Sequence, residues 1–151
     1  MRIEITSTPF DPNAELARLA DGRGGAGALA SFVGYCRDVA GGGLVERLEL
    51  EHYPGFTETE IARLAESVAR AHKLENLLII HRVGDIPARD PIVLVAALSA
   101  HRAAAFAAVE QVMDYLKTAA PIWKREITAA GARWIEPTDD DLARRESRKH
   151  G

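Results

Sequence analysis

Cysteine is almost absent from the chain. Cys36 stands alone, which excludes an internal disulfide and any thiolate cluster around a metal, and fits a reducing, cytoplasmic setting. Long apolar runs are absent as well. The richest stretch, Pro91 to Ala100, is about half of the ~20 residues that a membrane span needs. Met1-Arg2-Ile3-Glu4 lacks the charged-then-apolar plan of a secretory leader. Net charge is only -3, so no global field recruits nucleic acid or an acidic membrane; an anion site must come from local clustering. The glycines between Gly22 and Gly27 lack the lysine and hydroxyl residue of a phosphate-binding P-loop. His52, His72, His81 and His150 are scattered without metal-ligand spacing, so neither a metal nor a cofactor is expected.

What is present suffices for one globular domain. A chain of 151 residues, 47% of them apolar, buries about two-thirds of its unfolded surface. Arg2 to Ser7 alternates as a short strand, and Asn13 to Ala20 reads as a brief helix, followed by a loop at Asp21 to Gly25. Ala28 to Tyr35 and Leu44 to His52 read as strands around Ala40-Gly41-Gly42-Gly43, whose ordering cost predicts a loop mobile until something binds. Thr57 with Glu60 suggests a capping box that opens an amphipathic helix over Glu58 to His72. Leu77 to Val83 and Ile92 to Leu98 read as paired strands joined by Asp85 to Asp90.

Ser99 is a plausible N-cap for a helix that runs to about Lys117, with Phe106, Val109, Met113 and Leu116 as its apolar stripe. Pro121 ends it. Ile122 to Thr128 and Arg133 to Ile135 form a closing hairpin. The element order predicts an α+β domain over residues 1–138, helices packed on a largely antiparallel sheet. Residues 139–151, charged and poor in apolar side chains, read as a loose tail.

The groups able to do chemistry are mostly basic. His101-Arg102 opens a helix, where unpaired N–H groups and the macrodipole favour an anion; a solvated arginine beside a packed histidine is the bland alternative. Lys117 closes the same helix, and Lys124-Arg125 follows across Pro121. On a strand, only one of Lys124 and Arg125 can face a site. If Lys117 and Lys124 approach, repulsion lowers their pKa values and leaves one amine partly neutral, fit to act as nucleophile or base. Cys36 beside Arg37 could be an activated thiolate, although a single strand-end cysteine is more often inert packing. Arg37 suits an anion ligand at the mouth of the glycine loop. Residues alone therefore point to an anion-binding enzyme of unspecified reaction.

Four segments carry a resemblance. They are Phe32-Val33-Gly34-Tyr35-Cys36-Arg37; Leu48-Glu49-Leu50-Glu51-His52-Tyr53-Pro54-Gly55; Ile80-His81-Arg82-Val83-Gly84 with Ser99-Ala100-His101-Arg102; and the run Met113 to Glu126 containing Tyr115-Leu116-Lys117 and Pro121-Ile122-Trp123-Lys124-Arg125. Together they resemble the catalytic (large) subunit family of molybdopterin synthase. The resemblance implies an α/β hammerhead fold. It also implies conversion of cyclic pyranopterin monophosphate to molybdopterin, with sulfur delivered as a thiocarboxylate on the C-terminal Gly-Gly of a small ubiquitin-like partner. A homodimeric core within a heterotetramer is implied as well. By motif match, Lys117 and Lys124 would be catalytic; Arg37, His101 and Arg102 would bind substrate; Tyr35, Cys36, Arg125 and Glu126 would add contacts. The family often carries a basic residue after the segment matching Trp134-Ile135-Glu136. Pro137-Thr138 stands there instead, which leaves Arg144 or Arg145 as replacements. A noncatalytic anion-binding scaffold of the same fold and a thiol hydrolase using Cys36 are the competing readings.

Overall fold

The computed structural model describes residues 1–21, 24–41 and 43–149. Three expectations touch residues outside that set: the loop at 21–25 through Gly22 and Arg23, the mobility of 40–43 through Gly42, and the end of the tail at His150 and Gly151. In chain order the elements are β1 (Arg2–Thr6), α1 (Pro12–Ala20), β2 (Ala28–Tyr35), β3 (Val39–Ala40), β4 (Gly43–His52), α2 (Phe56–Ala71) and β5 (Asn76–Arg82). There follow β6 (Gly84–Pro87), β7 (Pro91–Ser99), α3 (Arg102–Thr118), β8 (Ile122–Thr128), β9 (Gly131–Ile135) and α4 (Asp139–Lys149). No helix among the described residues is long and apolar enough to cross a membrane.

The fold is α+β, as its element order predicts, but the strands divide into two sheets. One has the order β1-β5-β7-β2, and the other runs β3-β4-β8-β9 with β6 paired to β4. Among the described residues every pairing is antiparallel except β1 with β5. Side chains alternate along a strand, so β5 and β7 serve two cores. Leu77 and Ile79 join α2, α3 and the second sheet on one face, while Leu78 and Ile80 meet Leu19 of α1 on the other. Burial on both faces explains why these strands read as continuous apolar runs.

Several local expectations give way to tertiary structure. Asp85 to Asp90 is no plain connection: Asp85 and Ile86 pair with β4 in β6, and Ile86 is fully buried. α2 starts at Phe56 rather than Glu58. Its N-cap is Gly55, at φ +83, whose N–H donates to the Glu58 carboxylate at 2.6 Å. Thr57 is therefore no cap: its buried hydroxyl accepts from the Tyr53 N–H and donates to the Pro121 carbonyl. α3 begins two residues later than a Ser99 cap would allow, because Ser99 is held in β7 opposite Ala28; His101 is the N-cap.

The buried face of α3 is Ala105, Ala108, Val109, Val112 and Leu116. Phe106, placed on the apolar stripe by periodicity, is 65% exposed, because small alanines bring the helix close to the sheet and turn that position outward. The tail, too, differs from expectation, since Asp139–Lys149 is a helix against α3. Thr138 and Asp141 cap each other reciprocally, and acidic residues in a first turn suit the helix dipole.

Thr57 joins α2 to the segment that launches β8. Thr57→Val keeps the shape of the side chain and removes both hydrogen bonds, leaving the Pro121 carbonyl unsatisfied. The expected loss is about 1–3 kcal/mol, read as a lower midpoint in urea unfolding; an unchanged midpoint would contradict the role given to the hydroxyl.

Candidate active site

The two sheets and the C-terminal end of α3 enclose a cleft of about 840 Å3. Its floor is formed by β5 and β7 through His81 and Val93. The last turn of α3 supplies Lys117, and β8 supplies Lys124 and Glu126. The start of α4 closes one side with Thr138 and Asp141. Register decides which β8 residues take part: Lys124 and Glu126 line the cleft, while Arg125 pairs with Glu49 on β4 and stacks 5.4 Å over the Trp134 ring. The alternation expected for Lys124-Arg125 is what the structure has.

Lys117 and Lys124 share the cleft in unlike surroundings. The Lys117 side chain is 48% exposed at the rim, its Nζ 4.0 Å from Asp141. Lys124 lies deeper, and its pKa is pushed below the usual lysine value, first by burial and then by the Lys117 charge. Asp141 pulls it slightly the other way. Burial would raise the Asp141 carboxyl, but hydrogen bonds from Thr138 and the Lys117 charge hold it below its ordinary value. The cleft thus pairs a rim lysine facing a carboxylate with an inner lysine biased toward the neutral amine. The first suits holding an anion, the second accepting a proton or attacking an electrophile.

Arg37 and Tyr35 reach the cleft from the end of β2. Arg133 of β9, unremarked in the sequence, also lines it and pairs at 3.4 Å with buried Glu126. It supplies a cation close to the place where Pro137-Thr138 lacks one. Arg144 and Arg145 are not among the lining residues.

Other candidates lie elsewhere. Cys36 is 2% exposed in the core, and burial raises its thiol pKa, which opposes a thiolate nucleophile. His101 and Arg102 are exposed at the opposite end of α3. That helix is unbroken over Arg102–Thr118, so their backbones stand ~24 Å from Lys117 at the helical rise. One copy of the chain does not bring them into the cleft.

Besides Arg133, His81 and Asp141 are cleft residues that motif reading did not assign to the site. A histidine at the end of an otherwise apolar strand was the available signal for the first. The second depends on α4, which hydropathy hides.

A family model described as MoaE protein matches residues 5–119. A molybdopterin synthase catalytic subunit from Cereibacter sphaeroides is 47% identical, the match covering 95% of this chain and 97% of that protein. A solved molybdopterin biosynthesis MoaE protein from Burkholderia ambifaria is 46% identical, with a TM-score of 0.77 over 94% of this chain and 95% of that one. The crystal structure of molybdopterin synthase from Staphylococcus aureus aligns with a TM-score of 0.80 at 31% identity, covering 89% of this chain and 98% of the other.

The unlike pair of lysines has a chemical signature. Lys124 should react with an amine-acylating reagent with a midpoint pH below that of an ordinary lysine. In Lys117→Gln one depressing charge is gone, which favours the ammonium, so the midpoint should move up. It should not recover fully, because burial is the larger cause. Mass-spectrometric labelling across pH reads both effects, and an identical midpoint in the two proteins would mean that the amines do not interact.

Proposed function

Because the chain belongs to the MoaE family, we propose that it is the catalytic subunit of a molybdopterin synthase, converting cyclic pyranopterin monophosphate to the dithiolene molybdopterin. The observation that carries the assignment to this cleft is the pairing of Lys117 with Lys124 among further basic groups. The substrate carries a phosphate and the sulfur donor ends in an anionic thiocarboxylate, so both reactants match the charge of Arg37, Arg133 and the two lysines.

A catalytic subunit requires a partner, which we take to be a small carrier with a C-terminal Gly-Gly thiocarboxylate. Its tail enters at the rim, beside Lys117. An ammonium there stabilises the oxyanion that forms when the acyl carbon becomes tetrahedral. Lys124, inside, serves as the base or nucleophile for that carbon. Tyr35 and Glu126 complete the lining; Cys36 and Arg125 support it from behind, through the core and through the sheet.

His101 and Arg102 fit the same pocket only from a second copy. β2 is the outer strand of its sheet, and Leu29, Phe32 and Phe106 are exposed on or beside it. Two β2 edges related by a two-fold would run antiparallel. The end that carries Ala28, opposite Ser99, would then lie near the partner's cleft end at Tyr35. We take the assembly to be a homodimeric core with two composite pockets and one small subunit at each end.

Lys117→Ala should fold normally, since an exposed helix-end lysine contributes little to stability. Its product formation with thiocarboxylated small subunit and the cyclic pterin should fall at least about a hundredfold. Cys36→Ser in the same assay should keep most activity. The reverse pattern would favour thiol chemistry.

The composite pocket is tested by complementation. A His101→Ala, Arg102→Ala double mutant and Lys117→Ala are each expected to be inactive, and subunit exchange between them should restore one intact pocket per heterodimer. Verified exchange with no return of activity would exclude the shared site.

A further inference from the structure

His81 sits on the floor of the cleft with 2% of its surface exposed. It follows Leu77 and Ile79 on the face of β5 turned toward the cleft, where a third apolar side chain would complete the row. Its Nδ1 lies 2.8 Å from the carbonyl oxygen of Arg82. A carbonyl only accepts, so Nδ1 carries the proton and Nε2 presents a bare lone pair. Among the described residues the Arg82 carbonyl is the hydrogen-bond partner of the ring, and it is engaged at Nδ1. Burial, with the nearby Lys124 and His52, lowers the pKa to about 4, so the ring stays neutral at physiological pH. Nε2 is not among the buried side-chain atoms that lack a partner; His81 lines the cleft, and that is the space from which a ligand reaches this nitrogen.

We propose that His81 is a substrate-binding residue whose Nε2 accepts a hydrogen bond from an N–H group of the heterocycle bound in the cleft. The assignment rests on the functional reading above and deepens it. The basic groups recognise phosphate and thiocarboxylate, which many metabolites could imitate. His81 selects for a ring that also offers an N–H donor on the cleft floor near Lys124. A reduced, fused pterin carries N–H groups on its ring edge and meets that demand; an anionic sugar phosphate of similar size offers no N–H there. Since the tautomer is fixed by the Arg82 carbonyl, the imidazole cannot turn into a donor to suit a ring with only acceptors.

Two substitutions separate the ring nitrogens. His81→Asn keeps an amide N–H in reach of the Arg82 carbonyl and places nothing at Nε2. His81→Gln reaches the Nε2 position with an amide oxygen and gives up the bond to Arg82. The assembled complex with its small subunit is titrated calorimetrically with cyclic pyranopterin monophosphate and, separately, with sulfate, which carries no hydrogen to donate. Melting curves and the labelling midpoint of Lys124 are recorded for each protein. The Asn variant should bind the pterin at least about tenfold more weakly, the scale of losing one partner of a buried hydrogen bond. Its sulfate affinity and Lys124 midpoint should be unchanged, and the Gln variant should recover much of the pterin affinity despite a lower melting temperature.

A purely structural histidine predicts the opposite ranking, with Asn near wild type and Gln impaired, and that result overturns the proposal. So does equal weakening of pterin and sulfate, or a shifted Lys124 midpoint with unchanged pterin binding, which would make His81 a support for the lysine. Wild-type complex that fails to bind the pterin at all sinks the functional reading itself, and it is recognised without any variant.

Discussion

An amine on a strand that packs into the seam between two sheets loses part of its hydration, and Lys124 is in that position. The penalty falls on the ammonium form, so the fold itself biases the side chain toward the free base. Lys117, delivered to the same cleft by the end of a long helix, adds repulsion in the same direction. Much of the surrounding architecture serves to hold that arrangement. The Thr57 hydroxyl holds the Pro121 carbonyl just before β8, β4 pairs with β8 along Val45 to His52, and α4 sets Asp141 against the outer lysine.

Local chemistry in the sequence identified most of the framework. Gly and Pro punctuation, with apolar runs of strand length, marked β2, β4, β5, β7 and the β8–β9 hairpin close to their observed limits. Features that depend on distant partners were not legible. β6 is four residues long and exists because β4 offers it an edge. Thr57 is followed by a carboxylate at the spacing of a capping box, yet its hydroxyl is claimed by a carbonyl 64 residues away. Phe106 has the right spacing for a buried stripe, but the close approach of the alanine-rich start of α3 to the sheet moves the buried face one position round. For the site, charge and residue type singled out Lys117, Lys124 and Arg37. His81 and Arg133 needed the register of two different sheets to place them beside those cations.

The distribution of charge follows the same division. A chain with net charge -3 still gathers Arg37, Lys117, Lys124 and Arg133 in its cleft, beside Glu126, Glu136 and Asp141, while other acidic residues are spent elsewhere: Glu15 with Arg2 and Arg18, Glu49 with Arg47 and Arg125, Asp38 with Arg89. Exposed pairs of this kind add little stability, but they neutralise arginines that would otherwise compete for an anionic ligand. Attraction toward the cleft is therefore short in range, because at physiological salt it fades within about 8 Å.

The parallel pairing of β1 with β5 sets the order in which the protein can be made. Arg2 lies opposite Leu78, so the first strand has no neighbour until a further stretch of 76 residues has left the ribosome. At about 5–20 residues per second, that is a wait of roughly 4–15 seconds with an amphipathic strand uncovered. β4 waits a comparable time for β8, since Glu49 pairs with Arg125. The cleft is consequently among the last regions that a nascent chain can close. An arrest of synthesis between β7 and β8 would leave the first sheet complete and β4 with an open edge, a species prone to pairing with its own kind and therefore in need of a chaperone.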